Sequence, residues 1–239
     1  MMLTALIALA AFLYSSVGHA GASGYLAAMA LCGVAPGVMK PTALVLNLLV
    51  ASVTSWRFWK AGHFRWKLLW PFAMTSVPFA FLGGMLKVSD PLYRRVLGAA
   101  LVVAAARLLI PAKEEAPQPK DPPLPAALAC GAVMGFASGL VGVGGGIFLS
   151  PVLLLAGWAG VKETAAVSAV FILVNSASGL AGHLASLQNL PAQLPVWALT
   201  AFAAGFAGSE LGSRRLPPEW LKRLLAAALA VAAAKLLLV

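Results

Sequence analysis

The stretch SGLVGVGGGIFLSP, residues 138–151, decides the fold because it places a cluster of four glycines (Gly142, Gly144, Gly145 and Gly146) and a closing proline inside a long apolar segment. Glycine weakens a helix interior, and proline removes a backbone donor and kinks or ends the helix. The stretch therefore predicts a helix that is broken within the membrane and whose bare N–H groups attract an anion. A weaker version, GHAGASG at residues 18–24, lies near the N-terminus.

The composition is that of a membrane protein, since 61% of the residues are hydrophobic and only 10% are charged. A membrane-spanning helix needs about 20 apolar residues, and the chain contains many such runs. Because lipid offers no water to unpaired backbone groups, the spans are expected to be helical. The net charge of +10 indicates contact with lipid head groups and no nucleic-acid partner, because the cations fall mostly between apolar runs.

The order of apolar segments predicts an all-α integral membrane protein with about eight transmembrane helices. The predicted spans are residues 3–35 (broken at 18–24), 42–59, 69–86, 92–110, 126–157 (broken), 163–184, 193–212 and 219–239. A proline-rich linker, 111–125, separates a first transmembrane repeat, 1–110, from a second, 126–239. Each repeat is expected to begin with a glycine-broken helix.

The two halves match each other in sequence. The residues that recur 122 positions apart are Gly24 and Gly146, Lys40 and Lys162, and Thr42 and Thr164. Duplicated halves with interrupted helices in corresponding positions predict a substrate site near the membrane midplane. Four spans per half would give parallel halves. An inverted arrangement would need an odd number of crossings per half and would place the loops 57–67 and 213–223 on one side, and the sequence leaves this choice open.

The predicted substrate site draws on both breaks. The backbone donors are expected from Ser23, Gly24, Gly142, Gly144, Gly145 and Gly146. Asn175 and Ser176 lie within the sixth span, where an unpaired polar side chain is costly, and His19 lies inside the first break. Lys40 and Lys162 follow the two broken helices and are expected to draw or hold an anion.

Each of these residues also has a structural interpretation. Clustered glycines allow close helix packing, and amide or hydroxyl side chains hydrogen-bond between helices. A lysine at a span end extends its ammonium group to water. The polar residues of the second span, among them Asn47, are open to the same two interpretations.

Carboxylates are scarce in the spans, where only Glu210 lies near a span interior. A cation pump or proton antiporter usually carries acidic residues at mid-membrane, so the glycine N–H groups, hydroxyls and amides offered here favour a small anion. The sequence contains no metal-ligand cluster and no Ser-His-Asp set. We therefore expect no metal, no cofactor and no enzymatic activity.

Three motifs of the second half resemble those of the TauE/SafE family of membrane permeases. They are GLVGVGGGIFLSPVLLL at 139–155, KETAAVS at 162–168, and the pattern Asn175-Ser176 followed by Gly182-His183. The first half departs from the family pattern, because GHAGASGYLAAM has no proline equivalent to Pro151. The resemblance implies export of sulfite or organosulfonates across the bacterial inner membrane.

The expected function is a secondary transporter of a small anion that alternates access between its two repeats. The alternatives are an anion or small-solute channel and a non-transporting membrane scaffold subunit. The expected partners are the small anionic substrate and membrane lipid, and a homo-oligomer is left open.

Overall fold

The computed structural model describes residues 1–86, 88–109, 120–184, 188 and 190–214, together with positions 230, 233, 234 and 237. These residues form nine α-helices: α1 (Met2–Ser16), α2 (Ala22–Leu31), α3 (Pro36–Lys60), α4 (Trp66–Met85), α5 (Asp90–Leu109), α6 (Leu124–Val141), α7 (Gly146–Leu155), α8 (Val161–Gly182) and α9 (Leu194–Arg214).

The all-helical membrane class predicted from the sequence is confirmed. Of these nine helices, five are long and apolar enough to cross a membrane: α3, α4, α6, α8 and α9. Large apolar side chains lie exposed along α4 and α9, among them Phe79, Leu82, Leu199 and Phe202. Such surface suits contact with lipid. The predicted span 219–239 lies outside the described residues apart from four positions, so the count of eight stays a prediction.

Proline placement explains two helix boundaries that differ from the sequence expectation. Pro36 begins α3, so the helix starts six residues before the predicted span 42–59. Pro125 lies in the first turn of α6. Proline is tolerated in the first turn because the N–H group it lacks has no partner there. Most of the predicted linker, 111–119, lies outside the described residues.

Both predicted interruptions are present, and left-handed glycines make them. Gly18 (φ +81°) and Gly21 (φ +103°) separate α1 from α2, while Gly142 (φ +87°), Gly144 (φ +73°) and Gly145 (φ +81°) separate α6 from α7. This backbone region is costly for residues that carry a Cβ atom. The glycines therefore allow the chain to turn sharply without leaving the protein interior.

Close contacts fix the directions of the long helices. α4 runs parallel to α6, because Phe72, Ser76 and Ala80 lie against Gly131, Gly135 and Gly139 in that order. α8 runs the same way, because the Ser178 hydroxyl donates to Val77 O at 2.5 Å and Gly182 lies against Phe81 O.

The remaining long helices run the opposite way. α3 is antiparallel to α8. Leu44, near the start of α3, lies against Gly179 near the end of α8, whereas Phe58, near the end of α3, clusters with Ala165 near the start of α8. α9 is parallel to α3, because Val50 contacts Gly205 and, further along both helices, Arg57 forms an ion pair with Glu210. α1 is parallel to α9, as the contacts of Phe12 with Gly208 and of Ser16 with Gly212 require. Thus α1, α3 and α9 point one way, and α4, α6 and α8 point the other.

The helix ends define two ends of the bundle. At one end, which we call the basic end, α3 and α9 finish and α4, α6 and α8 begin. At the opposite end, which we call the far end, α3 begins and α4 and α8 finish. Among the described side chains, the cations at the basic end are Arg57, Lys60, Arg65, Lys67, Lys120 and Lys162, and those at the far end are Lys40, Arg94 and Arg95. Arg65 joins three segments at the basic end through Asp121 (2.9 Å) and Glu163 (3.4 Å).

Candidate functional site

The second break ends with the start of α7, whose N-terminus lies inside the bundle. Gly145 caps this helix without a side-chain hydrogen bond, and Gly146 is buried. The first N–H groups of any α-helix lack an intrahelical partner and carry a partial positive charge. With ten residues, α7 is about 15 Å long, half of the roughly 30 Å hydrocarbon core. The second break thus places backbone donors at depth in the protein.

A polar cluster surrounds Gly144 in the middle of that break. The Asn47 amide of α3 donates to the Ser176 hydroxyl of α8 at 3.3 Å. A Cβ atom added at Gly144 would lie 2.8 Å from both Asn47 Nδ2 and Ser176 Oγ. Asn47 is fully buried, and its Oδ1 atom has no hydrogen-bond partner among the described residues. An amide that is buried in this way has unused hydrogen-bonding capacity.

The first break reaches the second through His19. Its Nε2 atom lies 3.2 Å from Gly146 O and 2.9 Å from Ser150 Oγ, both in α7. Ser150 Oγ in turn lies 2.9 Å from Ser168 Oγ of α8. The imidazole therefore connects the two interruptions, and hydroxyls continue the polar contacts towards α8.

The interior around the two breaks is tightly packed in this conformation. A Cβ atom at Gly145 would lie 2.8 Å from the Phe171 ring, and one at Gly146 would overlap the Ile172 side chain. The glycines thus allow close packing at the same place where α7 begins with its unpaired N–H groups.

Ser23 and Gly24 lie in the first turns of α2 and contact α1. The Ser23 hydroxyl donates to the Tyr14 hydroxyl at 2.7 Å, and a Cβ atom at Gly24 would lie 2.7 Å from Ala10 Cβ. Because Gly24 packs against Ala10, α2 folds back beside α1 instead of continuing beyond it. The left-handed cap of α2 is Gly21, which the sequence does not distinguish from Gly18 or Gly24.

Asn175 is buried one residue from the Ser176 contact. Its amide donates to Phe171 O within α8 at 2.8 Å, and its Oδ1 atom has no partner among the described residues. The structure thus brings together Gly144, Gly146, Ser176 and His19 of the predicted set.

Lys40 and Lys162 lie at opposite ends of the bundle. Lys40 is buried, and its Nζ atom lies 4.4 Å from the Tyr93 ring centroid. Its Cα atom would lie 3.3 Å from a Cβ atom added at Gly142. Lys162 is exposed at the start of α8. Only the first of the two lysines therefore adjoins a break.

The glycines with left-handed backbone recur between the two halves at a spacing that differs from the 122 positions found in the sequence. Gly18 and Gly142, Gly21 and Gly145, and Gly33 and Gly157 are each 124 positions apart. This register does not match the spacing of 122 that paired Lys40 with Lys162. In space, Gly142 lies against Lys40 and Gly18 lies against Ala165.

Sequence reasoning missed Ser150 and Ser168 as members of the site. Ser150 follows Gly146 by four residues and so lies on the same face of α7. That spacing is the one signal in the sequence that could have identified it. Ser168 comes from α8, and its approach is a consequence of tertiary packing.

Long apolar helices, an exposed apolar surface and two interruptions that meet in the interior define a multi-pass membrane protein with a polar internal junction. The chain belongs to the sulfite exporter TauE/SafE family, whose model matches residues 3–236. The resemblance noted in the sequence is therefore confirmed.

Two relatives support the same class. The chain is 45% identical over 231 residues to "Probable membrane transporter protein y4hK" of Sinorhizobium fredii, covering 95% of this chain and 94% of that protein. It is 25% identical over 202 residues to "Probable membrane transporter protein MJ0441" of Methanocaldococcus jannaschii, covering 80% and 75%. No solved structure matches. The protein is thus a membrane transporter, which supports the expectation of a non-enzyme.

Proposed function

We propose that the protein is a secondary transporter that exports a small oxyanion, sulfite or an organosulfonate, by alternating access between two inverted repeats. The observation that carries the proposal is the meeting of the two breaks, where His19 Nε2 lies 3.2 Å from Gly146 O. A half-length helix that points its N-terminus at an interior polar cluster suits an anionic substrate.

The helix directions support inverted repeats. The corresponding helices α1 and α6, α3 and α8, and α4 and α9 run in opposite directions, and the left-handed glycines recur at one spacing. The packing between helices also recurs. Gly83 of α4 lies against Phe136 O of α6, and at the corresponding positions Gly208 of α9 lies against Phe12 O of α1. Since α2 folds back beside α1, this pair enters and leaves at the same end, and α3, α4 and α5 supply three crossings in the first half. Three is the odd number that inverted repeats need.

The substrate site that we propose lies at the junction of the breaks. The N–H groups of Gly144, Gly145 and Gly146 would bind the anion, and Asn47 and Ser176 would add side-chain hydrogen bonds. Charge-assisted bonds of this kind are stronger than neutral ones. None of the ion-paired carboxylates of the described residues lies there, because Asp121, Glu163 and Glu210 all lie at the basic end.

The distribution of cations supports an orientation. Six described cationic side chains lie at the basic end and three at the far end. Cytoplasmic loops carry an excess of Lys and Arg. We therefore place the basic end in the cytoplasm of a bacterium and the far end outside the inner membrane.

Proteoliposomes loaded with radiolabelled sulfite test the proposal. We expect saturable efflux that is accelerated by external sulfite, as counterflow through a carrier requires. The Asn47→Leu variant should reduce the efflux rate by about tenfold or more, since a hydrogen bond to a charged group contributes roughly 1.5–3 kcal/mol. Ser52→Ala is the matched control, because Ser52 lies on the exposed face of α3 and bonds Leu48 O.

Three results would count against the proposal. Efflux from wild-type vesicles no faster than from empty liposomes would reject transport of sulfite. Unsaturable flux without counterflow would indicate a channel instead of a carrier. Unchanged efflux in Asn47→Leu would move the substrate site away from the junction.

A further inference from the structure

A cavity of about 340 Å³ opens at the far end of the bundle, and its lining residue Lys40 lies against Gly142 of the second break. The starts of α3 and α5 and the ends of α4 and α8 enclose it, and its lining includes Gly37, Lys40, Met85, Asp90, Tyr93 and His183. A water molecule takes about 30 Å³ of liquid volume. The cavity therefore has room for a small oxyanion together with part of its hydration shell.

Lys40 brings a buried positive charge to this cavity. Lys40 is only 8% exposed. The ion pairs found among the described residues involve Arg57 and Arg65 and not Lys40. Asp90 lines the same cavity, yet it forms no ion pair with Lys40 within 4 Å. The Tyr93 ring, 4.4 Å away, compensates only part of the cost of desolvating an ammonium group.

His183 adds an unused polar atom to the same wall. The residue is 7% exposed, and its Nε2 atom has no hydrogen-bond partner among the described residues. Burial, followed by the nearby charge of Lys40, lowers the pKa of His183, although a hydrogen bond to the backbone of Gly139 opposes this. The unpartnered Nε2 atom can therefore hydrogen-bond a ligand in the cavity.

The cavity adjoins the junction of the two breaks. Gly142 begins the second break, and it lies against the backbone of Lys40. The Tyr93 hydroxyl donates to Val141 O at 3.1 Å and so holds the start of α5 beside the end of α6. Lys40 thus contacts the second break and also lines the cavity.

We propose that this cavity is a second anion-binding site, an outer vestibule in which Lys40 supplies the charge and His183 a hydrogen bond to a small oxyanion. The proposal deepens the proposed function and rests on it for the class of ligand. Among the described lining residues, Lys40 supplies the one lysine or arginine and Asp90 the one carboxylate, which favours a monoanion such as hydrogensulfite or an alkanesulfonate. The vestibule would take the anion from the junction and release it at the far end.

Equilibrium binding to the full-length protein in nanodiscs tests the vestibule. The probes are radiolabelled sulfite at pH 7 and, in competition, ethanesulfonate. We expect Lys40→Met to raise the dissociation constant of sulfite by about tenfold or more and Lys40→Arg, which retains the charge, to change it by less than about threefold. His183→Phe should weaken binding by a smaller factor. Lys162→Met is the matched control, because Lys162 is exposed at the other end.

The outcomes separate the vestibule from the proposed function when sulfite efflux is measured on the same variants. Loss of binding in Lys40→Met together with retention in Lys40→Arg supports the vestibule. Equal binding in wild type and Lys40→Met would overturn it, even if wild type transports sulfite. Equal loss in Lys40→Met and Lys40→Arg would also overturn it, because the lysine would then act only through its packing on Tyr93. Lys40-dependent binding without any efflux would reject the transport function and leave the vestibule intact.

Discussion

Gly144 and Gly157 share a left-handed backbone but differ in their surroundings, so the pair isolates the packing role of the second break. Gly144 has φ +73° and Gly157 has φ +67°. An alanine in this region costs roughly 1–2 kcal/mol from the backbone alone. A Cβ atom at Gly144 would also lie 2.8 Å from Asn47 Nδ2, Ser176 Oγ and Ile172 Cγ2, whereas nothing lies within 4 Å at Gly157.

The difference between the two variants can be estimated from these contacts. Overpacking of a well-packed interior costs about 1–3 kcal/mol, so Gly144→Ala should be less stable than Gly157→Ala by about that amount. Thermal unfolding of the purified proteins in detergent measures the order, with wild type most stable and Gly144→Ala least. Gly144→Ala should also slow sulfite efflux while Gly157→Ala retains it. Equal unfolding temperatures for the two variants would refute the close packing at Gly144.

Two other predictions concern helix packing and orientation. Gly139→Ala should destabilise the protein more than Gly37→Ala, because a Cβ atom at Gly139 would overlap Ala80 O while nothing lies within 4 Å of Gly37; thermal unfolding would show it, and equal stabilities would contradict the close contact of α4 with α6. In a cysteine-free background, a cysteine at Met85 should react with a membrane-impermeant maleimide in intact cells, and one at Lys60 should react only after lysis. The reverse pattern would reject the orientation proposed here.

The breaks were predictable from the sequence because clustered glycines weaken a helix interior. Which glycine turns the chain was not predictable, since Gly18, Gly21 and Gly24 look alike in sequence. Gly21 adopts φ +103° and caps α2, whereas Gly24 is helical and packs on Ala10. Which glycine turns the chain depends on how α2 packs against α1, and the intrinsic helix propensity of glycine is the same at all three positions.

The register and the partners within the site depended on tertiary structure. Matching lysines indicated a spacing of 122, but the glycines that turn the chain recur at 124. Asn47 and Ser176 are 129 residues apart, and their contact requires α3 and α8 to run antiparallel. Nothing local in either helix specifies that direction, so the sequence could indicate polar interior residues without pairing them.

The most direct measurement of the central claim is the position of a bound anion. Selenite has the shape and charge of sulfite and scatters X-rays anomalously, so it can be located in crystals of the protein. The account predicts an anomalous peak within hydrogen-bond distance, about 3 Å, of the N–H groups of Gly144–146 and next to Asn47 and Ser176. A selenite that is transported by the protein but bound at another place in the bundle would contradict it.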